Sequence, residues 1–312
     1  MRYIGIDMSK KTFHAALNED SVKIFQNDEN GFLEFENILK QMDFNVSETL
    51  IGVEATGIYH ISFCHWLSEK KWIVNVINPL ITSRQIKRSI RCVKSDKKDS
   101  LSIRKTIMGG AGYQFNETRE NIALKALLQK RWSLVKMAQK CLQLKEVQDY
   151  RMAVCKKEFI DDLSELRTNI KDKIKRIEKE AKTYMSEDQK LLQTIPGIGK
   201  ICAAYLVGYI GDIRRFSTPE KLVAYIGIDS RVYESGTSIH GKGYITKRGN
   251  KYLRHILYLG ALAARRCNPQ LKLFFEKKIS EGKHYSVASC AVERKLIHLI
   301  HAVWKRKTPF TI

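Results

Sequence analysis

The chain has 312 residues, 55 of them Lys or Arg and 33 Asp or Glu, giving a formal charge of +22 and an isoelectric point near 9.7. A hydrophobic content of 44% with 18 Gly and 5 Pro excludes wholesale disorder. The charge calls for a polyanionic partner, either nucleic acid or an anionic membrane surface. The longest apolar stretches, such as Ile256–Ala264, fall short of the roughly 20 residues of a membrane-spanning helix. The N-terminal MRYIGIDMSKK reads as a strand rather than a signal peptide, so a soluble cytoplasmic protein with no membrane partner is expected. Seven scattered cysteines, never spaced as CxxC, argue against disulfides and zinc. His298 and His301, three apart on an apolar segment without nearby acids or Cys, read as packed or interface histidines.

In chain order, Tyr3–Asp7 is a short apolar strand. Thr12–Leu17 and Ser21–Gln26, separated by Asn18-Glu19-Asp20, form a hairpin. Gly31–Met42 carries apolar residues at helical spacing. Leu50–Glu54 is a buried-type strand, Ile58–Glu69 a helix, Trp72–Ile77 a strand and Leu80–Ile90 a helix. A strand and hairpin, then helix–strand–helix–strand, is the order of a ribonuclease H-like α/β domain, here placed at residues 1–110. In residues 111–186, Phe159, Leu163, Leu166, Ile170, Ile174 and Ile177 recur at threes and fours, as do Leu124, Leu127, Leu128 and Val135 upstream. Two long helices, an antiparallel or intersubunit coiled coil, follow from that spacing. Residues 187–312 are expected to be mainly helical, broken by repeated glycines.

Four acids of the first domain stand out. Asp7 and Glu54 end strands that lie side by side in such a sheet. Asp96 and Asp99, in KSDKKDS, share a face if Ser95 caps a helix. Clustered carboxylates repel one another, so the site calls for divalent cations, two Mg²⁺ being able to clamp a phosphodiester. The acids interrupt a basic run that includes Arg84, Lys87, Arg88 and Arg91, suited to a phosphate backbone. YIGIDMSKKT also resembles the first phosphate loop of actin-like sugar kinases, but residues 187–312 offer no second strand-rich half.

In the C-terminal region, Ile195-Pro196-Gly197-Ile198-Gly199-Lys200 fits a helix–hairpin–helix turn whose freed N–H groups meet phosphate. A tight turn between packed helices fits it equally. The stretch from Ser235 to Phe275 holds no acid but carries Lys242, Lys247, Arg248, Lys251 and Arg254. A serine hydroxyl in such a loop can attack a phosphodiester. By composition Ser235 and Ser238 are equal candidates.

Taken together, YIGID, IGVEATGIY, VINP, KSDKKDS, LLQTIPGIG, and YESGTS followed by ITKRGNKYLR resemble, in order and over nearly the whole chain, one family. These are the insertion-sequence transposases and Piv-type DNA invertases with an N-terminal RuvC-like DEDD domain and a C-terminal serine domain. The resemblance implies a site-specific DNA recombinase acting as a dimer or tetramer in a bacterial or archaeal cytoplasm, associated with the nucleoid. Asp7, Glu54, Asp96 and Asp99 would bind Mg²⁺, and Ser235 would form a covalent 5′-phosphoserine link to DNA. One protomer's carboxylate domain would complete its site with another's serine domain. Donor and target DNA and, in many relatives, a structured bridge RNA are the implied partners. A Piv-type invertase, and a RuvC-like metal-dependent nuclease without a serine intermediate, are the alternatives.

Overall fold

Ile4, Ile6 and Met8 are buried at every second position, the period of a strand packed on one face. They belong to β1 (Arg2–Met8), which pairs antiparallel with β2 (Thr12–Ala16), itself paired with β3 (Val22–Gln26). Helix α1 (Glu29–Gln41) follows, started by Asp28, whose carboxylate accepts from the Gly31 amide. Strand β4 (Thr49–Glu54), helix α2 (Ile61–Glu69), strand β5 (Ile73–Ile77), helix α3 (Asp96–Met108) and the two-residue strand β6 (Tyr113–Gln114) complete the unit. The sheet order is β3-β2-β1-β4-β5-β6, with β1, β4 and β5 parallel and β6 antiparallel to β5. This six-stranded mixed sheet, with its leading hairpin, is consistent with a ribonuclease H-like domain. Strand β6 was not expected, because two residues carry no periodicity.

The computed structural model describes residues 1–55, 57–79, 81–82, 96–150, 157–230, 234–235, 239–240 and 244–311, with only backbone at 148–150, 157–159, 234–235 and 239–240. Of the expected helix over Leu80–Ile90, Ile81 and Thr82 are helical and the rest lies outside the described residues. The described chain divides into two units, Met1–Arg119 and Glu120–Ile312.

In the first unit an aromatic cluster fills one side of the sheet. Phe13 stacks on Phe25 at 5.1 Å, and Phe32, Phe35, Phe63 and Trp66 close around them. Helix α3 lies on β1 and β4, and glycine makes its close approach possible. A Cβ on Gly5 would sit 2.2 Å from the Ser100 carbonyl oxygen, and one on Gly52 would sit 2.5 Å from Ile107 Cγ2. Gly5 and Gly52 are direct neighbours across the β1–β4 pairing. Arg104 Nε donates to the Tyr3 carbonyl at 2.9 Å and fixes the helix along the strand.

The second unit opens with α4 (Arg119–Tyr150) and α5 (Lys157–Ala181). Arg131 Nε meets Glu178 Oε1 at 2.7 Å, while Ala138 and Cys141 pack on Ile170, so the two helices run antiparallel within one chain. The root of α4 enters the main core through Leu124 and Leu128, and Tyr205 donates to the Leu128 carbonyl at 2.8 Å. That core is built on the apolar α7 (Lys200–Ile210), preceded by α6 (Glu187–Leu192) and followed by α8 (Pro219–Ile226), α9 (Lys251–Cys267), α10 (Pro269–Ser280) and α11 (Tyr285–Arg306). Trp304, Leu257, Leu296 and Ile300 are fully buried among them. His301 is buried and bonded to the Phe216 carbonyl oxygen at 2.9 Å, while His298 is exposed near Glu220. No described helix is long and apolar enough to cross a membrane.

Candidate functional site

Side chains two apart on a strand share a face. The glycines of β1 and β4 lie beneath α3, so Asp7 and Glu54, two residues further on, project on that same face. Each strand therefore reads glycine, apolar, acid: Gly5-Ile6-Asp7 and Gly52-Val53-Glu54. The register Ile6↔Val53 puts the two acids at equivalent positions on neighbouring parallel strands. Helix α3 begins just there, with Asp96 and Asp99 in its first turn, where the helix dipole favours negative charge.

The carboxylates of Asp7, Asp96 and Asp99 come together, each offering an oxygen within 4.8 Å of the others. Two carboxylates at 4.8 Å repel by ~3 kcal/mol at an effective dielectric near 20, and by less where solvent screens them, as at Asp96, 67% exposed. Oxygen donors of this kind, with several positions left open to water, fit a hard divalent cation such as Mg²⁺. Glu54 is not part of this closest group. Its Oε2 accepts a hydrogen bond at 2.6 Å from the buried hydroxyl of Thr82.

Two neighbours were not anticipated. His14 faces Asp7 across the β1–β2 pairing and holds Nδ1 3.9 Å from Asp96 Oδ2. Thr82 orients Glu54. The expected strand Thr12–Leu17 contains His14, but only the register Asp7↔His14 identifies it; Thr82 carried no signal. Arg84, Lys87, Arg88 and Arg91, and the capping Ser95, lie outside the described residues. Lys97 and Lys98 are exposed beside the acids, whereas Arg104 serves the Tyr3 carbonyl.

The second unit holds the remaining predicted residues. Gly197 has φ +100°, and a Cβ there would fall 2.5 Å from Ala264 Cβ, so its task is packing the turn against α9. Gly199 begins α7 without a side-chain cap; it and Lys200 are exposed, and no atom crowds the glycine. The helix start is thus available to an anion at Gly199 and Lys200.

Ser235 lies in a small hairpin. Strand β7 (Glu234–Ser235) pairs antiparallel with β8 (Ile239–His240), in register Ser235↔Ile239. Below it, Ser230 bridges Ile245, the Thr246 hydroxyl donates to Asp229 Oδ1, and the Lys247 amide donates to the Gly227 carbonyl. Lys242 and Ser238 lie outside the described residues. Lys247, Arg248 and Lys251 are exposed around the start of α9, whose first amides are capped by Asn250. Arg254 is turned inward: its Nη1 donates to the Ile226 carbonyl at 3.1 Å and to the Gly249 carbonyl at 2.6 Å. Arg294 and Glu293, absent from the sequence reading, lie by the same loop. Glu293 is buried, and burial raises its carboxyl to about 8 against the opposing pull of Arg254 and Arg294.

A transposase profile of the IS110 DEDD type matches residues 4–147, and a profile described as the transposase IS116/IS110/IS902 family matches residues 189–276. The chain is 28% identical to the pilin gene-inverting protein of Moraxella bovis over 322 aligned positions, spanning 99% of this chain and 97% of that protein. The pilin gene-inverting protein of Moraxella lacunata matches to the same extent. The transposase for insertion sequence element IS1111A of Coxiella burnetii is 32% identical over 128 positions, 40% of this chain and 35% of that one. With one profile over residues 4–147, another over 189–276, and relatives aligned from end to end, the chain belongs to the family of IS110-type transposases and Piv-type DNA invertases.

Proposed function

We propose that the protein is a Mg²⁺-dependent DNA recombinase that cuts and rejoins DNA through a phosphoserine intermediate at Ser235. The observation that carries the metal half of this reading is the meeting of Asp7, Asp96 and Asp99, three acids from two elements whose carboxylate oxygens lie within 4.8 Å of one another. Asp7, Asp96, Asp99 and Glu54 would hold the cation. When bound, it supplies charge neutralisation at the phosphodiester and at the leaving oxygen.

The chain's own residues supply the rest. Ser235 Oγ attacks phosphorus, the O–P bond forms, and the bond to the 3′-oxygen breaks. The proton released by the serine is taken up by the departing 3′-oxygen, which leaves as a 3′-hydroxyl. A 3′-hydroxyl from a second strand then reverses the step and regenerates the serine. Gly199, Lys200, Lys247, Arg248 and Lys251, with Arg84, Lys87, Arg88, Arg91 and Lys242, would hold donor and target backbones. The charge of +22 also suits a structured guide RNA and a homo-oligomer gathered on it. The test uses protein expressed from a plasmid carrying its gene with the native flanking DNA. Ser235→Ala should abolish covalent protein–DNA adducts while duplex binding persists; adducts surviving in that variant exclude the serine.

Two further readings have specific support. All four acids lie in the first unit, which favours a RuvC-like nuclease using water as nucleophile. It predicts cleavage that survives Ser235→Ala and fails in Asp7→Asn. End-to-end similarity to pilin gene-inverting proteins favours inversion over transposition. Sequencing the recombined junctions distinguishes an inverted segment from an inserted one.

A further inference from the structure

The loop that carries Ser235 leaves the core at Ile226 and returns at Gly249. Two observations show how its ends are held. First, the backbones meet at closest approach. A Cβ on Gly249 would lie 2.0 Å from the Tyr225 carbonyl oxygen, and one on Gly227, where φ is +82°, would lie 2.5 Å from the Gly249 nitrogen. At Gly227 and Gly249 the two backbones leave no room for a side chain. Second, arginines from two helices bind this junction, through three backbone carbonyls and one serine hydroxyl. Arg254 of α9 donates from the single nitrogen Nη1 to Ile226 on the outgoing side and to Gly249 on the returning side. Arg294 of α11 donates from Nε to the Ile228 carbonyl at 3.0 Å and from Nη2 to Ser230 Oγ at 3.1 Å. Ser230 is the residue that bridges Ile245 at the foot of the hairpin.

We propose that Arg254 and Arg294 are positioning residues: Arg254 staples the two ends of the 227–249 loop, Arg294 anchors its outgoing end, and together they fix the direction in which Ser235 is presented, rather than contacting nucleic-acid phosphate. This rests on the reading of Ser235 as the nucleophile.

The physical case is one of entropy and direction. Closing a loop of about 20 residues leaves its tip free unless the base is rigid. A nucleophile must be held within a fraction of an ångström of its line of attack for proximity to help. A hairpin with two short strands cannot provide that by itself. Arginine suits the task because its planar, always charged fork donates to several carbonyls in fixed directions. Charge-assisted bonds to carbonyls at a half-buried position are the stronger kind. The surface cations Lys247 and Arg248, on the same turn, are exposed; they are placed for phosphate and serve as the internal contrast.

The experiment separates the two roles by salt dependence. Binding of a 40-base-pair duplex is measured over a salt series for wild type, Arg248→Ala, Arg254→Ala and Ser230→Ala, and covalent adduct is measured on the plasmid with native flanking DNA. A phosphate contact lowers the slope of log K against log salt by about 1. Arg248→Ala should do so. Arg254→Ala should keep the wild-type slope yet lose adduct by roughly tenfold or more. Ser230→Ala removes a partner of Arg294 without changing charge or the glycine contacts, and should reduce adduct several-fold at unchanged slope. Added guanidinium should restore part of the adduct in Arg254→Ala, a rescue that general loss of fold does not give. If Arg254→Ala fails to fold, Ser230→Ala decides alone. A slope lowered by about 1 in Arg254→Ala, or full adduct in both Arg254→Ala and Ser230→Ala, overturns the proposal. Ser235→Ala is run in parallel. Adduct persisting there removes the serine reading itself, whereas adduct lost there but intact in the arginine and Ser230 variants removes only the staple.

Discussion

The two units hold their proposed reactive groups in different ways. In the first, the acids are placed by packing. Gly5 and Gly52 let α3 rest on the sheet, and the acids two residues on then meet the first turn of that helix. In the second, the serine stands on a hairpin whose base is fastened by arginines to backbone carbonyls. A site made by packing is set by the volume of buried groups and tolerates little change beneath it. A site made by fastening a loop depends on a few hydrogen bonds, each of modest worth. The comparison predicts where substitutions should be lethal and where graded.

The largest effect is expected at the acids. Asp7→Asn and Asp99→Asn should each reduce DNA cleavage by ~10³-fold or more, the scale of losing a metal clamp on phosphate. Without Mg²⁺ the same variants should be no less stable than wild type, because each removes repulsion among carboxylates that share 4.8 Å. Thermal unfolding with and without Mg²⁺ checks this. Stabilisation by Mg²⁺ in wild type should vanish in the variants, and an equal Mg²⁺ shift in both would remove the metal assignment.

Next come the glycines under α3. Gly5→Ala puts a methyl 2.2 Å from the Ser100 carbonyl oxygen, a distance that demands movement of helix or strand. A cost of about 2–3 kcal/mol is expected from overpacking of this kind, together with weakened Mg²⁺ binding, since the helix carries two of the proposed ligands. Chemical denaturation and metal titration of one variant read both. Stability lost with metal affinity intact would mean that the acids do not depend on the seating of α3.

This prediction also shows what the sequence allowed. The acids were legible because a buried strand seldom ends in a carboxylate, and strand order placed Asp7 beside Glu54. The glycines two residues earlier were in view, yet their meaning needed the helix above them. Asp7↔His14 follows from the hairpin once the register is known. The long antiparallel pair followed from threes and fours. Arg254 illustrates the opposite case: its charge suggested phosphate, while the carbonyls of Ile226 and Gly249 that it meets lie 28 and 5 residues away. No local pattern encodes such contacts. The six-residue α6 and two-residue β6 are likewise too short for periodicity to register.

A smaller effect concerns Glu293, buried behind the stapled loop. Burial raises its carboxyl to about 8, although Arg254 and Arg294 pull the other way. Unfolded, the same carboxyl titrates at about 4.3. Between these values the folded chain keeps a proton that the unfolded chain has released. The folded state therefore binds more protons, and stability should fall as pH rises from roughly 4.5 to 8. The full contribution is present below the lower value and is lost through the upper one. Glu293→Gln, an uncharged isostere, should flatten this slope. Unfolding midpoints of both proteins from pH 5 to 9 give the comparison, and parallel slopes would show that Glu293 is ionised throughout.

The smallest effect sharpens the contrast most, because two equal groups can be compared. Asn250 caps α9 by accepting from the amides of Tyr252 and Leu253, and Asn268 caps α10 by accepting from those of Gln270 and Leu271. Each makes two bonds of the same kind, so Asn250→Ala and Asn268→Ala should each cost about 1 kcal/mol. Only Asn250 follows directly on Gly249, where the serine loop returns to the core and Arg254 binds its carbonyl. Freeing the first turn of α9 should loosen that carbonyl and the hairpin above it, whereas freeing α10 should not. Covalent adduct formation should therefore fall several-fold in Asn250→Ala and stay near wild type in Asn268→Ala, at matched loss of stability. Equal adduct yields in the two would mean that the base of the hairpin does not govern how the serine is presented, and the second unit would then need another account of its precision.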